Sequence, residues 1–296
     1  MIGKKWMFGG IARMAVRAVG VMAATFMLGC CSCGGGGAEG PKFSVFASCI
    51  SRVAKEKGVS IERAAEMLAA EGVGGFDTSY ADKNLDLYAK TALKPVNLYG
   101  FIRFNGPDAG AAESAKFVET AERLGVPRIM CIPNEFPNGV ESEDEYAKMR
   151  DGLSNLVALA KGKGIAVTVE DFGGNTKSPC SYGKYLKRFM QDIPDLKFTV
   201  DSGNLYYAGR GEDIRDMVSF AKGRIAHVHL KDQSKDNNRS YVTVGLGGVP
   251  NEDIVRAMEK DGYKGWYTLE NQVGDDHLAD VVRQVAVVRH WCKVAR

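Results

Sequence analysis

The chain carries almost no net charge. Its 39 Lys and Arg residues stand against 36 Asp and Glu. Lys4, Lys5, Arg13 and Arg17 hold that excess, so the rest of the chain is close to neutral. A near-neutral body lacks the basic footprint on which nucleic-acid binding depends, so no nucleic-acid partner is expected. Long hydrophobic runs are missing too. The N-terminal apolar stretch, Ala18–Leu28, has eleven residues, well short of the roughly 20 that a spanning helix needs. No G-x-G-x-x-G turn follows the first candidate strand, which argues against a dinucleotide-binding, doubly wound sheet. Of seven cysteines, only Cys49, Cys131, Cys180 and Cys292 fall in the part expected to fold. They are widely spaced, and single buried thiols are the default reading, with pairing left open in an oxidising compartment. What remains is ordinary globular composition: 45% hydrophobic and 25% charged over 296 residues, enough to bury a sizeable core without staples.

The first thirty residues read as an address. A basic start, a short apolar run and a small residue before the cut describe a secretory signal. Met27-Leu28-Gly29-Cys30 resembles the lipobox of bacterial lipoproteins, which implies a lipid on Cys30 and a place in the periplasm or cell envelope. That anchor would be the only membrane contact. Cys31, Ser32, Cys33 and Gly34–Gly37 follow as a flexible tether, because glycine-rich segments bury no apolar surface. No His or second Cys pair closes a zinc site around these cysteines. The expected organisation is a signal over 1–29, a tether over 30–41 and one domain over 42–296.

From Pro41 the chain alternates between short β-rich runs and amphipathic helical runs. The strands expected are Phe43–Ala47, Gly75–Thr78, Val96–Phe101, Arg128–Ile132, Ala166–Glu170, Lys197–Asp201, Ile225–Leu230 and Trp266–Glu270. Helices are expected at Ser60–Ala70, somewhere in Leu85–Leu93, and at Ala111–Leu124, Ser142–Lys161, Tyr182–Met190, Asp213–Ala221, Glu252–Lys260 and Asp276–Val294. Gly58, Gly125, Gly164 and Gly262 sit where helical runs end. Short connections between strands and helices imply parallel strands with right-handed crossovers. Eight such units in about 255 residues predict a single (β/α)₈ TIM barrel.

The later strands carry the chemistry. Four of them end in Thr168-Val169-Glu170, Thr199-Val200-Asp201, His227-Val228-His229 and Thr268-Leu269-Glu270. Side chains alternate along a strand. Val167, Val169, Phe198, Val200, Val228, Leu230, Tyr267 and Leu269 therefore share the face that belongs against the helices. The Thr, carboxylate and imidazole groups must point into the barrel. Facing carboxylates in such a place take up protons unless a cation sits among them. Spacings of 31, 28 and 41 residues match one βα unit each, with an insertion in the last. Glu170, Asp201, His229 and Glu270 thus converge at the C-terminal rim, where barrel enzymes keep their chemistry. Oxygen-rich ligation with one imidazole suits Mn²⁺, Mg²⁺, Co²⁺ or Zn²⁺. His227, one layer deeper, reads as packed and hydrogen-bonded rather than as a ligand.

The segments 164–170, 198–204, 227–232 and 262–270, with Gly245-x-Gly247, resemble the xylose isomerase-like barrels, in particular the sugar phosphate isomerase/epimerase group. The resemblance implies that Glu170, Asp201, His229 and Glu270 hold one divalent metal. It also implies that Glu170 and Glu270 move protons on opposite sides of a small carbohydrate, giving an exported isomerase or epimerase with an enediolate intermediate. Lys231 shares the inward parity and is a candidate to stabilise the oxyanion, or else to form a salt bridge with Asp201 or Glu270. Asn204, His227, Glu135 and Arg103 are the candidate substrate contacts. Asn204 stands where the group often has His, and Asp77 where it commonly has Glu. A keto-sugar lyase or dehydratase shares the first deprotonation and is the alternative. A non-catalytic carbohydrate-binding lipoprotein and an endonuclease IV-like hydrolase rank lower. The second needs more than the four histidines present.

Overall fold

The computed structural model describes residues 40–175 and 177–295. The expected signal, Cys30 and nearly all of the tether lie outside these residues. Eight parallel strands close into a barrel: β1 Lys42–Phe46, β2 Val73–Ser79, β3 Lys94–Ile102, β4 Arg128–Pro133, β5 Ala166–Glu170, β6 Lys197–Asp201, β7 Ile225–Leu230 and β8 Trp266–Leu269. The register Val45↔Leu269 zips the last strand onto the first and excludes an open sheet.

The expected apolar parity holds. Val167, Val169, Phe198, Val200, Val228, Leu230, Tyr267 and Leu269 are all buried in the layer between strands and helices. Burial of one such side chain is worth about 1.5–3 kcal/mol, and these contacts hold each strand with its polar face inward. The interior is hydrogen-bonded rather than oily: Ser44 pairs with Thr268 at 2.6 Å and Thr199 with Thr168 at 2.8 Å.

The helices differ most from expectation in the first two units. β1 runs without a loop into a helix over Ala47–Lys57, so Ala47 begins a helix rather than ending a strand. Gly58 closes it at φ 64°, donating back to Ala54 and Lys55 carbonyls in a left-handed cap that favours glycine. The helix Ile61–Ala70 follows, its start capped by the Ser60 hydroxyl accepting from the Arg63 amide. The helix expected within Leu85–Leu93 is one turn, Leu85–Tyr88, pinned by its two buried ends. The Thr91 hydroxyl donates to the Tyr88 carbonyl at 2.8 Å and accepts from the Leu93 amide at 3.3 Å, which turns the chain toward β3 there. The remaining outer helices span Ala111–Arg123, Glu143–Lys161, Gly183–Asp192, Asp213–Phe220, Asn251–Lys260 and His277–Ala295. The insertion after β7 is a small hairpin, Asp232–Gln233 against Tyr241–Val242.

Candidate metal centre

Glu170, Asp201, His229 and Glu270 each come from the C-terminal end of a strand, on β5, β6, β7 and just past β8. One ligand atom from each lies within 4.8 Å of the others, so this group can hold a metal ion. His229 Nδ1 is 2.6 Å from Glu170 Oε1, 3.9 Å from Asp201 Oδ2 and 3.7 Å from Glu270 Oε2. Neighbouring backbone sets these positions. Asp201 lies beside His229 in register, and the Glu270 amide still donates to the Leu230 carbonyl at 3.0 Å. Asp201 Oδ1 accepts from the Gly203 and Asn204 amides at 2.9 and 2.8 Å, which turns Oδ2 toward the centre.

The donor set fits a divalent cation on one specific ground. Asp201 Oδ2 and Glu270 Oε2 are buried carboxylate oxygens with no hydrogen-bond donor of acceptable geometry, and a buried charge left in that state is costly. Lys231 answers only part of that charge. Its Nζ lies 2.9 Å from Asp201 Oδ2, off the hydrogen-bonding direction, and donates to Glu270 Oε1 at 2.6 Å and Asn204 Oδ1 at 3.2 Å. The salt bridge expected for Lys231 with Asp201 or Glu270 thus forms with both. Burial opposes the ammonium, but the Asp201 and Glu270 carboxylates overcome it and hold Lys231 protonated far above its ordinary range.

Burial pushes Asp201 up to about 7, aided by Glu270 and opposed by Lys231. Burial also raises Glu170, against the pull of His229. Burial disfavours the His229 imidazolium, yet Asp77 and Glu170, facing its two ring nitrogens, raise it well above its ordinary value. A metal needs the deprotonated ligand, so protons compete with it. Metal affinity is therefore expected to fall as pH drops from 8 to 6 through the Asp201 titration. The fall should be roughly tenfold per unit for each proton displaced, read by Mn²⁺ titration. Affinity independent of pH across that window would contradict the assignment of Asp201 as a ligand.

The other expected contacts divide. Asn204 reaches the centre through Lys231. Arg103 and Glu135 are exposed, and line a rim cleft of about 470 Å³ with Phe101, Phe172, Asn175 and Lys177. None of the four candidate ligands is on that cleft's wall. Glu135 there accepts from Asn175 at 2.5 Å. His227 is corrected as a substrate contact. It is fully buried below the ligand layer, and Asp77, Thr268 and Arg128 occupy its ring nitrogens. Asp232 lies two residues past the end of β7, at the start of the hairpin. Its carboxylate accepts from the Gln233, Gly245, Gly247 and Val249 amides and gathers the loop before the Asn251–Lys260 helix.

The sequence marks Asp77 only as standing where Glu is common, and several other site neighbours escape it entirely. Asp77, Asn97 and Arg128 build a buried network beneath His229. Asp171 Oδ1 accepts from the Asp201 amide at 2.7 Å. The Phe46 ring stands edge-on to His229, with centroids 5.2 Å apart. Inward parity on β2 and β3 could have pointed to Asp77 and Asn97; nothing local distinguishes Arg128. Asp77, His227 and His229 could by themselves hold an ion. Both imidazoles, however, already bond the same Asp77 oxygen, at 2.7 and 3.1 Å, and the Arg128 guanidinium supplies a cation behind them.

The sequence model described as the xylose isomerase-like TIM barrel matches residues 57–289. Inosose dehydratase of Serratia proteamaculans (strain 568) is 26% identical over 237 residues, covering 74% of this chain and 74% of that protein. Inosose dehydratase of Clostridium perfringens (strain ATCC 13124) is 25% identical over 171 residues, 52% of this chain and 56% of that protein. Among solved structures, an L-ribulose 3-epimerase superposes with TM-score 0.67 at 14% identity, covering 86% of this chain and 96% of that one. The probable 3-DHS dehydratase AsbF of Bacillus anthracis gives 0.66 at 14%, covering 83% and 98%. The IOLI protein with a bound zinc atom gives 0.66 at 15%, covering 84% and 99%. At these identities the structural likenesses establish the barrel.

Proposed function

Because this chain belongs to the xylose isomerase-like TIM barrel family, we propose that it is a metal-dependent lyase removing water from a small polyhydroxylated ketone, an inosose or keto sugar. The observation that carries the reading is the convergence of three carboxylates and an imidazole within 4.8 Å, two of their oxygens lacking donors. The inosose dehydratases among the relatives support elimination better than the isomerisation expected from sequence.

A divalent ion on Glu170, Asp201, His229 and Glu270 supplies positive charge that lowers the cost of removing a proton next to a carbonyl. The residues of the chain do the rest. Glu270, with its side chain 21% exposed, is the most open of the four and takes the carbon-bound proton. The electron pair left behind forms the new double bond as the neighbouring C–O bond breaks. The departing hydroxyl takes up the proton that Glu270 removed and leaves as water, so the step balances with Glu170 deprotonated as it must be to hold the ion. Lys231 donates hydrogen bonds to the developing oxyanion, and its partner Asn204 holds the ammonium in place.

One observation favours a second reading. Glu170 and Glu270 come from non-adjacent strands, so they can serve opposite faces of one carbon, and return of the proton to the other face is epimerisation. The Mn²⁺-loaded protein incubated in D₂O with a panel of inososes and keto sugars separates the two. Elimination gives a new unsaturated ketone absorbing in the ultraviolet, and this is the expected result. Deuterium in recovered sugar without that product supports epimerisation. Absence of both across the panel would overturn the enzymatic reading.

A further inference from the structure

An unbroken chain of hydrogen bonds runs up the barrel to the metal centre from its opposite face. Arg128 opens β4 at the N-terminal end, where it lines a surface recess with Ile225 and Tyr263. Its guanidinium lies 2.5 Å from His227 Nδ1. A guanidinium can only donate, so Nδ1 accepts and the His227 proton sits on Nε2. That nitrogen is 2.7 Å from Asp77 Oδ2. The same oxygen receives Asn97 Nδ2 at 2.9 Å and faces His229 Nε2 at 3.1 Å, while Oδ1 receives the Thr268 hydroxyl at 3.1 Å. Asp77 is thus a fully buried acceptor encircled by donors from β3, β7 and β8. An acceptor facing His229 Nε2 requires a proton on that nitrogen, so Nδ1, whose proton lies toward Glu170, is the nitrogen left to give up its proton and offer a lone pair to a metal. Nδ1 is the nitrogen that faces Glu170, Asp201 and Glu270.

We propose that Asp77 is a positioning residue for the metal centre, itself fixed by Arg128 through His227, and that this column commits His229 to bind a divalent ion through Nδ1. The proposal rests on the metal reading above and adds to it residues that touch neither ion nor substrate. A carboxylate behind a ligating imidazole orients the ring and raises its basicity, and its loss commonly costs 10–100-fold in affinity. Asp77→Asn is nearly isosteric but lets an amide N–H face His229 Nε2, which favours the wrong tautomer.

The test is Zn²⁺ binding by calorimetry, with long-range ¹H–¹⁵N correlation of the imidazoles in the loaded protein. Wild type should bind Zn²⁺ with His229 metallated on Nδ1 and protonated on Nε2. Asp77→Asn should lose about 10–100-fold in Zn²⁺ affinity. Arg128→Met should leave His227 averaging between tautomers, and Arg128→Lys, which keeps a donor, should restore the single form. Zinc on Nε2 of His229 in wild type overturns the proposal even if Asp77→Asn fails to fold. Wild-type affinity in folded Asp77→Asn overturns it as well. A His227 tautomer unmoved by Arg128→Met removes Arg128 from the column. Failure of wild type to bind Zn²⁺, Mn²⁺ or Co²⁺ at all would defeat the underlying metal reading instead.

Discussion

Glu270→Gln is expected to lower turnover by about 10²–10⁴-fold, the range associated with loss of a positioned general base. The amide keeps the size of the side chain and can still accept from Lys231, whose ammonium is 2.6 Å from Oε1. What it loses is the proton-accepting oxygen Oε2, which is buried, without a donor and turned to the centre. Residual activity should therefore be assayed at saturating Mn²⁺, so that weaker ligation is separated from lost chemistry. Solvent deuterium exchange should fall in step with product formation, since both require the same proton abstraction. The melting temperature should stay near that of wild type, because Glu270 is partly open to solvent. Turnover within tenfold of wild type would show that another group is the base.

The second large effect is on stability. Lys231→Met removes the ammonium that pairs with Asp201 and Glu270, at 2.9 and 2.6 Å, in a place where Lys231 is 4% exposed. Deleting one partner of a buried ion pair typically costs about 3–5 kcal/mol, because the remaining charge is left uncompensated. The full loss is expected in chelator, with the folded protein metal-free. Adding Mn²⁺ should close most of the gap, since a divalent ion compensates the same two carboxylates and stabilises whichever state binds it. Thermal unfolding of wild type and variant, each with EDTA and with Mn²⁺, gives the four values needed. An equal penalty with and without metal would mean that Lys231 is needed for packing alone.

The second half of the barrel was legible because two signals coincide there. Val, Phe and Leu on one parity fix which face meets the helices, and Thr, Asp, Glu and His on the other have nowhere to go but inward. β5, β6 and β7 accordingly have the bounds read from sequence, and β8 ends one residue sooner, at Leu269. The meeting of the four candidate ligands followed from the same argument, since equal depth on successive strands is a matter of counting. The first half offered no such pairing of signals. Its helix after β2 shrank to a turn, and the helix after β1 starts directly from the strand, without the polar loop that marks other starts. Asp77 was seen but its partner was not, because Asp77 and His229 are 152 residues apart and meet only across the closed bore. Arg128 had still less to betray it: a basic residue at a strand start normally faces water. His227 was read both as packed and as a substrate contact, and its full burial, with Asp77, Thr268 and Arg128 on its ring nitrogens, decides between them.

The polar lining of the bore also constrains how the molecule can be assembled. Asp77 enters on β2, but the groups that neutralise it arrive on β3, β7 and β8. A nascent chain that stops before residue 225 has only Asn97 of these donors to offer that carboxylate, and so gains little by curling up early. Halves of this barrel are poor candidates for independent domains, and permuted or split versions should succeed only where both pieces meet before either one closes. Ring closure and satisfaction of that buried anion are the same event, which favours an all-or-none transition over a stable half-formed state.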